Sequence, residues 1–90
     1  VMKTTKIYEL NQTVRVKRTI NYNLCENAVE DQMIYGIEIV SLSEDKKEIE
    51  KIENVSYEKD EVIKIITLLY ENAVDISHFK NVVEDYISAL

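Results

Sequence analysis

Proline is absent from this 90-residue chain and glycine occurs once, at Gly36. Collagen-like, proline-rich and glycine-linker segments are thereby excluded. A single cysteine, Cys25, leaves no internal disulfide framework and no four-cysteine zinc site. No run approaches the roughly 18 apolar residues that a membrane span needs. No charged-then-apolar leader is seen either, so the expectation is a cytoplasmic domain that neither crosses nor targets a membrane. Val1 ahead of Met2 reads as a processing remnant and carries no weight in the fold. What is present suits a globular fold: 46% hydrophobic and 31% charged residues supply both a core and a solvated surface. At this length one domain is expected, over 13–90, with 1–12 as an N-terminal arm or strand extension.

The net charge of −6 is unevenly spread. Residues 1–25 hold five basic side chains (Lys3, Lys6, Arg15, Lys17 and Arg18) against Glu9, a net of +4. The remaining six basic and sixteen acidic side chains leave 26–90 at −10. Nucleic-acid binders usually carry a basic field, so a pI near 4.7 speaks against that partner. The basic cluster reads as a solvated strand face balancing acidic neighbours.

The first half alternates. Tyr8, Leu10, Val14, Val16, Ile20, Tyr22 and Leu24 take even positions, with polar residues between them. This period of two marks extended chain with one buried face. A single strand over 8–24 would be about 55 Å long, whereas a domain of this size has a radius of gyration near 12 Å. A break at Asn11-Gln12 is therefore expected. Because the phase persists across it, a bulge, a bend or an arm pairing with another subunit is favoured over a two-residue hairpin.

A second strand is expected over 32–42, with Met33, Tyr35, Ile37 and Ile39 on one face. A turn at Ala28-Val29 would set Leu24 opposite Met33 and Tyr22 opposite Tyr35. Residues 46–55 could be helix, since Ile49 and Ile52 are three apart. A two-residue loop at Glu44-Asp45 favours strand, because it places Ile49 opposite Val40, Ile52 opposite Ile37 and Lys51 opposite Glu38.

The second half turns every 3.6 residues. Ser56 is the expected cap of a helix whose stripe is Val62, Ile65, Ile66, Leu69, Tyr70 and Ala73. Asp75 or Ser77 would cap another, striped by Phe79, Val82, Val83, Tyr86, Ile87 and Leu90. The short link implies an antiparallel helix pair. The fold expected is α+β: a three-stranded antiparallel sheet with a long first strand or N-terminal arm, covered on one face by a C-terminal helix hairpin. The other face would present Ile34, Val40, Leu42 and Ile49 with no cover, which predicts self-association there or along a sheet edge.

Chemistry-bearing residues are sparse. Cys25 lies beside Glu26, which raises a thiol's pKa, and the sole histidine is in another element, so an incidental thiol is expected. His78 opens the last helix near Asp75, too few ligands for zinc. Glu58-Lys59-Asp60-Glu61 lacks the alternating oxygens and glycine of a calcium loop and suits a helix start. Of six tyrosines, Tyr8, Tyr22, Tyr35, Tyr70 and Tyr86 fall on apolar faces, as core or as the lining of a cleft. Gly36 in mid-strand signals a bulge or a close backbone approach.

Three blocks, Met33-Ile34-Tyr35-Gly36-Ile37-Glu38-Ile39, Ile52-Glu53-Asn54-Val55-Ser56 and His78-Phe79-Lys80-Asn81-Val82-Val83-Glu84-Asp85-Tyr86-Ile87, resemble an uncharacterised family of small domains. Its members occur mainly in clostridia and their Gram-positive relatives, and the likeness covers about residues 20–88. The resemblance implies a bacterial cytoplasmic setting and a shared surface at Tyr35, Gly36, His78 and Asp85, but no activity. With no catalytic constellation and no cofactor motif, a non-enzymatic interaction or regulatory domain is expected, acting as an oligomer or on a protein partner. The candidate surface is Ile34, Tyr35, Gly36, Val40, Leu42, Ile49, His78 and Asp85. Alternatives are a ligand or peptide module with a tyrosine-lined cleft, and an acidic inhibitor or DNA mimic docking through 44–61.

Overall fold

The two periodicities become two layers, an antiparallel sheet and a pair of C-terminal helices on one of its faces, as the α+β expectation has it. The structure, a computed structural model, describes residues 2–13 and 19–89, the first segment by its backbone alone. The elements are β1 (Met2–Thr13), β2 (Thr19–Val29), β3 (Gln32–Ser43), β4 (Lys46–Ser56), α1 (Lys59–Glu71) and α2 (Phe79–Ala89). The strands lie in the order β1-β2-β3-β4, each antiparallel to its neighbour. Strands β2, β3 and β4 are the expected three.

The alternating run over 8–24 is not one strand bent at Asn11-Gln12. Its first part belongs to β1, which pairs back on β2 of the same chain, with Thr13 opposite Thr19 and Leu10 opposite Tyr22. The link between these two strands, 14–18, is outside the described residues. Val14 and Val16 keep the alternation there with no glycine, proline or asparagine to mark a turn, so the period conceals it. Between Thr5 and Leu10 the register slips: five steps of β1 face the two from Leu24 to Tyr22, which leaves three extra residues as a bulge.

The β2–β3 turn is Glu30-Asp31, two residues beyond Ala28-Val29, so Leu24 faces Ile37 and Tyr22 faces Ile39. The slip from the expected pairing is an even number of residues, so every side chain keeps its face. Glu30 and Asp31 adopt φ of 47° and 67°, the left-handed pair that a two-residue hairpin demands. The residues favoured for it are Asn-Gly or Asp-Gly, which is why this turn is hard to see. The β3–β4 pairing follows expectation, with Val40 opposite Ile49, Ile37 opposite Ile52 and Glu38 opposite Lys51.

Near Gly36 that register slips and Tyr35 pairs with Ser56. A Cβ on Gly36 would drive into the backbone carbonyls of Ile52 and Glu53. The chain's sole glycine therefore stands where β4 bulges onto β3.

The core lies between the layers. Ile20, Tyr22 and Leu24 of β2 and Ile37 and Ile39 of β3 meet Val62, Ile65, Ile66 and Leu69 of α1. From α2 come Phe79 and Val83. The cap of α1 is Glu58, which makes no side-chain cap bond. Ser56, the expected cap, instead accepts the Glu58 N–H on its Oγ at 3.0 Å. Ala73 lies beyond the end of α1, with φ 47°. Leu90, expected on the α2 stripe, is outside the described residues. Cα extents of 43 × 27 × 18 Å leave room in the shortest direction for one sheet and one helical layer. Among the described residues no helix is long and apolar enough to cross a membrane.

Candidate functional site

On the sheet face turned away from the helices, the described side chains form three columns, one on each of β2, β3 and β4. Pairing aligns them in rows: Thr19–Leu42–Lys47, then Asn21–Val40–Ile49, then Asn23–Glu38–Lys51. Further along lie Cys25 beside Gly36 and Asn27 beside Ile34. The β2 column is polar, the β3 column is an apolar spine broken by Glu38, and the β4 column alternates Lys47, Ile49 and Lys51.

The middle row is bonded across the sheet. Asn23 donates from Nδ2 to Glu38 Oε1 at 3.0 Å, and Lys51 Nζ lies 3.5 Å from Glu38 Oε2. This row divides the apolar residues expected to lie together. Val40, Leu42 and Ile49 form one group toward the β3–β4 turn, and Ile34 stands apart toward the opposite end. Val40 and Ile34 are already buried by their neighbours, whereas Leu42 is 36% and Ile49 49% exposed. On the β2 column, the Oδ1 atoms of Asn21, Asn23 and Asn27 are buried with no hydrogen-bond partner, and Asn23 is only 6% exposed. A buried acceptor without a donor costs about 1–3 kcal/mol, and three such oxygens lie on this face.

Sequence reasoning passed over these asparagines. The signal was available: asparagine is disfavoured in strands, yet it holds three odd positions of β2.

The other candidates lie elsewhere. Tyr35 turns to the helix side and packs against the core. Gly36 is closed over by the β4 backbone, so its close approach is internal to the chain. His78 is exposed ahead of α2; its N–H donates to the Asp75 carbonyl at 3.0 Å. Asp85 borders a groove of about 350 Å³ with Val82, Tyr86 and Ala89 on α2. The set thus divides between two layers: Ile34, Val40, Leu42 and Ile49 share the open face, while Tyr35, His78 and Asp85 belong to the helix side.

The tyrosines also divide. Tyr22 is fully buried and donates its hydroxyl to the Val74 carbonyl at 2.9 Å, which ties the sheet to the α1–α2 connection. Its ring meets Tyr70 edge-on at 6.5 Å and 89°. Burial, and then the charge of Asp75, push its hydroxyl up to about 12. Tyr35, Tyr70 and Tyr86 pack partly against the core, Tyr57 is exposed, and the Tyr8 side chain is outside the described residues. Asp75, one of the two expected caps, accepts the Ser77 hydroxyl at 2.8 Å on Oδ2 and so closes the turn before α2. Cys25 is buried on the sheet face turned away from the helices and is in no disulfide. Among the described residues, no three of His, Cys, Asp and Glu gather into a set able to hold a metal ion.

No curated protein and no solved structure matches this chain. The model of one family does match, over residues 2–89, which takes in β1 as well as the part from residue 20 onward on which the three blocks lie. The chain belongs to that family, a family of unknown function (DUF6514).

Proposed function

We propose that this domain is a small non-enzymatic interaction module and that the open face of its sheet is the surface that meets a protein. One observation carries the reading. Leu42 and Ile49 stand exposed on adjacent strands of the face that the helices leave bare. Apolar groups gain by leaving water, and a protein surface laid on this face removes them from it. The bacterial cytoplasmic setting implied by the resemblance is part of the proposal.

The test is affinity capture with the tagged chain from cells that express it, comparing wild type, Leu42→Glu, Ile49→Glu and, on α2, Ile87→Glu. Proteins retained by wild type and by Ile87→Glu but lost from the two open-face variants are the expected result. Retention of the same proteins by all four would overturn the proposal.

A further inference from the structure

We draw no further inference here: the strongest candidate, the exposed patch of Leu42 and Ile49 on the sheet face turned away from the helices, belongs to the surface already proposed above, and nothing in the structure shows what covers it.

Discussion

Ala73→Gly is expected to stabilise the domain. Helix α1 ends in a Schellman motif: the Val74 N–H donates to the Leu69 carbonyl at 3.0 Å, and the Ala73 N–H to the Tyr70 carbonyl at 3.1 Å. The motif requires the residue after the cap to be left-handed, and Ala73 meets that with φ 47°. A left-handed conformation costs an L-residue about 1–2 kcal/mol, a cost glycine escapes. Glycine in turn loses about 0.5–1 kcal/mol more backbone entropy on folding. The half-buried methyl adds little to either side, which leaves a net gain near 0.7 kcal/mol, on the order of one kcal/mol at most. For a chain of this size that raises Tm by about 2–8 °C. Urea unfolding followed by circular dichroism should give a higher midpoint at an unchanged slope. Ala73→Val, with a branched side chain at the same φ, should lower the midpoint. If Ala73→Gly lowers it too, the left-handed strain assigned to this position is wrong.

Three further outcomes follow from other positions. Gly36→Ala should destabilise by about 2–3 kcal/mol or more, because the new methyl meets the β4 backbone, which cannot step aside as a side chain can; denaturant midpoints check it. Replacing Glu30-Asp31 by Asn-Gly should raise stability by about 0.5–1.5 kcal/mol, since both positions already hold the left-handed φ that this pair prefers; unchanged or lower thermal stability would refute it. The Tyr22 hydroxyl, at about 12 in the fold against 10.0 for the free side chain, keeps its proton longer when folded. Its contribution is therefore complete below pH 10 and is lost as pH climbs toward 12, on the order of 2–3 kcal/mol in all. In Tyr22→Phe the missing bond to Val74 should cost about 1–2 kcal/mol at neutral pH, and the alkaline fall in stability should flatten. An equally steep fall in both proteins would assign it to other groups.

What could be read from the residues, and what could not, follows from how local each signal is. The β3–β4 register was legible because three constraints agree: Ile49 seeks Val40, Ile52 seeks Ile37, and Lys51 seeks Glu38, all through one two-residue turn. In β2–β3 only the choice of face was constrained. Leu24 finds an apolar partner in Met33 or in Ile37, so the turn decides, and this turn is built from Glu30 and Asp31 without the glycine that would announce it. The β1–β2 reversal left no trace at all, since Val14 and Val16 carry the alternation up to it. For the site, position parity sorted Ile34, Val40, Leu42 and Ile49 onto one face. Distance along a strand was ignored, and Ile34 lies six residues, roughly 20 Å, from Val40. Tyr35, His78 and Asp85 joined the set through resemblance rather than geometry, and the fold places them on the other side.

The open edge of β4 is the competing route to association, and its own residues count against it. An edge strand invites another chain to extend the sheet unless something blunts it. Lys46, Lys47 and Lys51 place cations along this one, and the bulge opposite Gly36 interrupts its register. Near its middle, Glu50 is drawn toward α2 by Lys80, with 3.3 Å between Nζ and Oε2. A strand added here by two-fold symmetry with Ile49 as its centre would place Lys47 opposite Lys51 and Glu48 opposite Glu50, like on like throughout. A charge pattern that disfavours growth of the sheet sideways thus protects this edge, and Lys51→Glu should undo the protection: Lys47 would then stand opposite a carboxylate, and sedimentation equilibrium should show more association than in wild type.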